Sequence, residues 1–212
     1  MAVDGVGDTN ADGFDDLIVG VPGHHDGQIS EGGAFLFPGS PTGLATAATW
    51  LTQSDQAFAF AGMSVAAAGD VDGGGFDDVV LGLPGWDGEL ADQGAARLFA
   101  GGPGGLSIEP VWHVDGPLVD AFFGWTVAGV GDLNGDGLQD VAVGAPFADL
   151  GGVDTGVAYV YLGSAAGLPA VQDWSWTAQE GAEVGFALAG GGDVDADGFD
   201  DLLIGAPGWS NP

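Results

Sequence analysis

A sixteen-residue unit that joins alternate acidic side chains directly to a short apolar run occurs four times in this chain. Recurrence at a fixed step restricts the fold more than any single motif does. The copies are GDTNADGFDDLIVGVP (7–22), GDVDGGGFDDVVLGLP (69–84), GDLNGDGLQDVAVGAP (131–146) and GDVDADGFDDLLIGAP (192–207). Their first aspartates, Asp8, Asp70, Asp132 and Asp193, are spaced by 62, 62 and 61 residues. Other positions keep the same step: Gly32, Gly94 and Gly156, the Gly-Leu pairs at 43, 105 and 167, and Trp50, Trp112 and Trp174.

Within one repeat, four short apolar or β-branched runs alternate with glycine- and proline-rich turns, and no helical period is long enough to read. In the first repeat these strands, A to D, are the end of a run at 2–7, Leu17 to Val21, residues 33–39, and Thr46 to Thr52. Later A strands are read from Gly62, Gly124 and Gly185. Four-stranded units repeated radially predict an all-β fold, a β-propeller of four-stranded blades. The chain holds about 3.5 such blades as one propeller segment, with repeats at approximately 1–61, 62–123, 124–184 and, in part, 185–212. Propellers have about four to eight blades, so a larger ring, self-association with a second copy, or a four-bladed closure using the terminal strands all stay open.

Each acidic loop places oxygen-bearing residues at alternate positions, where a tightly curled backbone can aim them at one point. Hard oxygen donors in that number suit Ca²⁺, which takes about 6 to 8 oxygens, better than the strictly octahedral Mg²⁺. The donor sets expected are Asp8, Asn10, Asp12, the Phe14 carbonyl and Asp16; Asp70, Asp72, the Phe76 carbonyl and Asp78; Asp132, Asn134, Asp136, the Leu138 carbonyl and Asp140; and Asp193, Asp195, Asp197, the Phe199 carbonyl and Asp201. Up to four Ca²⁺ ions follow. The second loop is expected to be the weakest because Gly74 stands at its fifth position. An EF-hand is excluded: it needs a glutamate at position 12, where Val19, Leu81, Val143 and Ile204 stand. The plainer reading, aspartates that only stabilise tight turns, does not account for one oxygen set recurring in four places.

These residues carry a resemblance. Phe123-Gly124, the DxNxDGxxD loop and Val143-Gly144-Ala145-Pro146, repeated as Ile204-Gly205-Ala206-Pro207, resemble the FG-GAP repeats of the integrin α-subunit β-propeller. The match is looser elsewhere: Phe-Gly becomes Ala61-Gly62 and Val184-Gly185, and the second element becomes Gly20-Val21-Pro22 and Gly82-Leu83-Pro84. The resemblance implies a seven-bladed ring with calcium in the A-to-B loops of its lower face and partner-binding loops on the upper one. It also implies an extracellular or cell-surface setting and a role in adhesion or recognition.

One arginine, no lysine and 31 acids give a net charge of −30. Such a surface repels phosphate backbones, so no nucleic-acid partner is expected. A hydrophobic fraction of 46% separates the chain from disordered acidic sequences. With no cysteine, disulfides cannot staple the fold, which leaves metal as the available clamp. The opening MAVDGVGD shows no export-signal pattern, and no apolar run reaches the ~18 residues of a membrane span.

Candidates for catalysis are few. His24, His25 and Asp26 form a cluster with no neighbouring nucleophile, and GxSxG and phosphate-loop motifs are absent. A non-enzymatic scaffold is therefore expected, with a non-catalytic propeller accessory to, or part of, a secreted hydrolase as the alternative. Trp50, Trp112, Trp174 and Trp125 read as packing residues. Trp86 and Trp209, in equivalent B-to-C loops, are the candidates to contact a protein or glycan ligand.

Overall fold

The B runs of the second and third repeats carry apolar residues at successive positions, a pattern that needs both faces of the strand covered. In the computed structural model, which describes residues 1–210, the strands Asp78–Leu83 and Asp140–Ala145 are buried at all six positions. Each lies inside its own sheet while that sheet is sandwiched between neighbours.

Three sheets of four antiparallel strands follow the chain in order. The first contains β1 (Ala2–Gly5), β2 (Leu17–Val21), β3 (Gly33–Phe37) and β4 (Trp50–Gln53). The second contains β5 (Val65–Gly69), β6 (Asp78–Leu83), β7 (Ala95–Phe99) and β8 (Trp112–Asp115). The third contains β9 (Thr126–Gly131), β10 (Asp140–Ala145), β11 (Val157–Tyr161) and β12 (Trp174–Thr177), and a last pair, β13 (Ala187–Gly192) and β14 (Asp201–Gly205), forms a two-stranded sheet. No helix occurs among the described residues. The first strands of the sheets, β1, β5, β9 and β13, pack side by side in that order. The architecture is that of a β-propeller, here three full blades and the inner half of a fourth.

Several strand boundaries differ from the sequence expectation, β1 ending at Gly5 and β3 at Phe37 among them. The D strand of the first blade begins at Trp50, not Thr46, because the preceding residues form turns held by Ala45 N–H on the Pro38 carbonyl, 2.9 Å. The A strands begin at Val65, Thr126 and Ala187, three or two residues after the glycines expected to start them. Those glycines have φ of +77°, +84° and +84°, a left-handed geometry that turns the chain into the blade before pairing starts.

Blade contacts explain several repeated residues. A side chain on Gly20, Gly82 or Gly144 would fall 2.1, 2.0 and 2.1 Å from the carbonyl oxygen of Gly62, Gly124 and Gly185 in the following blade. The two glycines of the motif thus let consecutive sheets touch backbone to backbone. Beside them, Ala61, Phe123 and Val184 are all fully buried. At the outer strands, Trp50 and Trp112 donate their indole N–H to Ser107 and Pro169 carbonyls of the next blade, at 2.9 and 2.8 Å. Each also packs edge-on against that blade, on Phe99 and Tyr161. Trp174, at the same step, is 47% exposed, since the last sheet has two strands among the described residues and neither covers it.

Candidate metal centre

Each acidic loop closes the hairpin between the first and second strand of a blade. Its curl comes from two left-handed residues. Position 6, occupied by Gly13, Gly75, Gly137 and Gly198, has φ between +83° and +98° as the sequence predicts. Position 4 is left-handed too, in Ala11, Gly73, Gly135 and Ala196, which the sequence did not mark because alanine stands there twice.

The position-1 carboxylate anchors the curl. Asp132 Oδ1 accepts the N–H groups of Gly135 and Asp136 at 2.7 and 3.1 Å, and Oδ2 that of Gly137 at 2.8 Å. Asp8 accepts from Asp12 and Gly13 at 3.0 and 2.7 Å, and Asp193 from Asp197 and Gly198, both at 3.0 Å. Desolvation works against the charge, but the backbone donors outweigh it and hold Asp8 and Asp132 below the usual carboxylate range. The position-5 carboxylates of Asp12, Asp136 and Asp197 accept the N–H of Phe14, Leu138 and Phe199 at 3.0, 2.9 and 3.0 Å. Asn10, Asn134 and Asp195 accept the position-5 N–H.

Position 9 has a second task. Asp78 Oδ2 accepts Val71 N–H at 3.0 Å while Oδ1 accepts Gly101 N–H at 2.8 Å. Asp140 does the same with Leu133 and Gly163, both at 2.8 Å. Asp16 binds Thr9 and Gly39, and Asp201 accepts Val194 N–H at 2.8 Å. In the three four-stranded blades the acid therefore ties its own loop to the turn after the third strand. Burial pushes the Asp78 carboxyl up to about 6, against its two backbone donors and helped by the charges of Asp72 and Asp70. Asp140 is raised for the same reasons, with Asp136 and Asp132 as the charges.

Carboxylates converge in two of the four loops, the second and the fourth, and in the fourth Asp201 stays outside the cluster. In the second loop oxygens of Asp70, Asp72 and Asp78 lie within 4.8 Å of one another, and in the fourth so do those of Asp193, Asp195 and Asp197. Asp70 Oδ1 is buried with no hydrogen-bond partner. A buried carboxylate oxygen left bare among other carboxylates is a strong electrostatic demand for a cation, so the residues present fit a hard metal ion.

Position 8 escaped the sequence reading. Asp77 Oδ2 accepts the N–H of Asp8 in the preceding loop at 2.9 Å, and Asp200 Oδ2 accepts that of Asp132 at 2.8 Å. Asp200 N–H returns a bond to the Asp132 carbonyl at 3.0 Å, and Gln139 N–H bonds the Asp70 carbonyl at 3.2 Å. Adjacent loops are thus joined directly to each other. A side chain on Gly7 or Gly131 would collide with Asp77 or Asp200 at 2.0 Å, which is why glycine precedes the first aspartate. The signal available in the sequence was the acid directly before position 9 in three of four copies.

At the opposite end of the blades the two tryptophan candidates part ways. Trp86 is half-buried against the core, with the Arg97 guanidinium 4.8 Å over its ring. Trp209 is 54% exposed and packs at a tilt against Trp176, ring centroids 5.8 Å apart. Trp125, expected in the core, instead stands half-buried in an apolar row with Phe122, Phe147 and Phe186, since its side chain emerges where the chain turns into the blade. Beside it lies a groove of about 310 Å³, nearly all apolar, walled by Pro22, Phe60, Met63, Pro84, Phe122 and Trp125.

A family model for the FG-GAP repeat matches residues 3–31, 123–161 and 184–212. Integrin alpha-V of Gallus gallus is 33% identical over 217 residues, 96% of this chain and 19% of that protein. Integrin alpha-5 of Xenopus laevis is 36% identical over 161 residues, 72% of this chain and 15% of that protein. Phosphatidylinositol-glycan-specific phospholipase D of Homo sapiens is 31% identical over 220 residues, 96% of this chain and 26% of that protein. The chain spans only 15 to 26% of the length of these relatives. Blades whose glycines meet back to back, acid loops at a constant step and these matches lead to one conclusion: the chain belongs to the FG-GAP repeat proteins and is integrin α-like over most of its length.

Proposed function

We propose that this chain is a calcium-stabilised, non-catalytic propeller scaffold that presents loops for protein or glycan recognition outside the cell or at its surface. The observation that carries the reading is the coupling of each acid loop to the next: the position-1 aspartates that would hold Ca²⁺ are bonded through their backbone to the position-8 residue of the following loop. Bound Ca²⁺ would neutralise converging carboxylates and fix the rim of the propeller. Four sites are proposed, with the oxygen donors named above, and the second is the weakest because Gly74 supplies no side-chain ligand. Recognition falls to the other end, where Trp209 and the apolar row with Trp125 are accessible. The remaining blades of a larger, seven-bladed ring, or a second copy, would cover Trp174 and the exposed Leu203 of β14.

Isothermal titration with Ca²⁺ tests the metal half: four sites are expected, falling to three in Asp193→Ala, and an unchanged stoichiometry in that variant would refute it. A protein and glycan array comparing the chain with Trp209→Ala tests the recognition half, and equal binding would remove that residue from the surface.

A second reading has one observation in its favour, the similarity to phosphatidylinositol-glycan-specific phospholipase D over 96% of this chain. On that reading the propeller accompanies a secreted hydrolase domain and orients it toward substrate.

A further inference from the structure

The three B-to-C loops occupy equivalent places, so each blade can be compared at one spot under its loop. In the third blade the spot is filled by Ala148, Thr155 and Thr177. Thr155 Oγ1 accepts Leu150 N–H at 3.1 Å and donates to the Ala148 carbonyl at 2.9 Å, and Thr177 Oγ1 donates to Gly156 at 2.6 Å. In the second blade it is filled by Trp86, Gln93 and Asp115. Gln93 accepts Leu90 N–H at 2.8 Å, and Asp115 pairs with His113 at 2.7 Å. His113 in turn accepts Arg97 Nε–H at 3.2 Å, so the one cationic side chain of the protein balances this carboxylate.

In the first blade the equivalent residues are His24, Glu31 and Gln53, and nothing balances them. Glu31 is fully buried. Its Oε1 accepts Asp26 N–H, but Oε2 is buried without a partner. Gln53 directs its amide N–H to Asp55 at 3.1 Å, which leaves Oε1 facing inward, buried and unpaired. His24 Nε2 is buried and unpaired as well, its ring held edge-on against Phe35 at 5.3 Å. The three residues surround one stretch of backbone. Gly32 N–H bonds the His24 carbonyl at 3.2 Å, Gly33 pairs with Gln53 in the ladder, and Ser54 Oγ–H bonds the Glu31 carbonyl at 2.7 Å.

An ionised carboxylate in that setting is costly unless a positive charge meets it. We propose that the first blade holds a fifth cation site, separate from the acid loops, in which His24 Nε2, Glu31 Oε2 and Gln53 Oε1 bind one divalent metal ion. The ion does there what Arg97 does in the second blade. An imidazole nitrogen beside carboxylate and amide oxygens selects a borderline metal of the Zn²⁺ type, whereas the all-oxygen loops select Ca²⁺. Glutamine at 93 and threonine at 155 put no carboxylate at that place in the other blades, and the unpartnered atom of the second, Trp86 Nε1, is a donor that calls for no cation.

The test is a Zn²⁺ titration of the intact chain held in millimolar Ca²⁺, so that the acid loops are saturated. One Zn²⁺ equivalent is expected, weakened at least ~10-fold in Glu31→Gln and in His24→Phe and unchanged in His25→Ala, whose exposed ring lies outside the set. Glu31→Gln copies the residue the second blade uses, and circular dichroism confirms its fold. Extended X-ray absorption of the bound zinc should show one imidazole with oxygen neighbours. The proposal is overturned if Zn²⁺ does not bind, if Ca²⁺ displaces it, or if Glu31→Gln binds Zn²⁺ as tightly as the parent. It is equally overturned if Glu31→Gln raises stability while Zn²⁺ does not alter the melting temperature of the parent, the behaviour of a spot filled by water alone.

Discussion

The two ends of the blades are built from the same repeat yet obey opposite rules. At the acid-loop end the four copies make almost the same hydrogen bonds: N–H groups of the curl donate to position 1, an N–H of its own loop donates to position 9, and in two copies an N–H of the preceding loop donates to the position-8 acid. At the B-to-C end the copies diverge: His24, Trp86 and Ala148 share one position, as do Glu31, Gln93 and Thr155. Uniformity marks the end where blades are held to each other, because the same contact must be made at every junction. Divergence marks the end free to acquire separate tasks.

Substitutions at the two ends should separate accordingly. The largest loss is expected at position 9. Asp78→Ala removes the acceptor for Val71 and Gly101 N–H together with a proposed ligand, and in Ca²⁺ should cost about 3 to 5 kcal/mol in denaturant unfolding. A loss below about 1 kcal/mol would deny the loop its structural role.

Acidity sharpens the same contrast. The Asp78 carboxyl lies at about 6 in the folded chain against 3.8 for an ordinary aspartate, so between those values the folded state binds more protons than the unfolded one. Without metal, stability should therefore fall as pH rises through this window, by up to about 3 kcal/mol. Bound Ca²⁺ favours the ionised form, and the loaded protein should show the opposite slope. Melting curves at pH 4.5 and 7, with EGTA and with Ca²⁺, distinguish the two. Asp77→Ala, which deletes the acceptor for Asp8 N–H, should cost about 1 kcal/mol. Trp209→Ala, at the divergent end, should leave the unfolding free energy within about 0.5 kcal/mol.

Much of this was legible in the residues. Spacing and turn chemistry yield the four-stranded blades and the acid loops, because both depend on local sequence. What stayed hidden depends on a neighbouring blade. Asp77 and Asp200 act on the loop before their own, and a residue whose partner lies 69 or 68 positions away leaves no local pattern. Trp125 read as core because Met63 and Phe186 share its position, but all three stand at a rim where apolar side chains stay accessible. Glu31 belongs to no motif and is not repeated at its position in the other blades, and only its burial beside His24 and Gln53 marks it out.

The coupling of metal to blade junctions is tested most directly by thermal unfolding of the intact chain in saturating Ca²⁺ and again after EGTA. Removal of the metal should lower the melting temperature by roughly 10 °C or more, given a few kcal/mol of linked binding energy in a chain of this size. An identical melting temperature in the two conditions would contradict it.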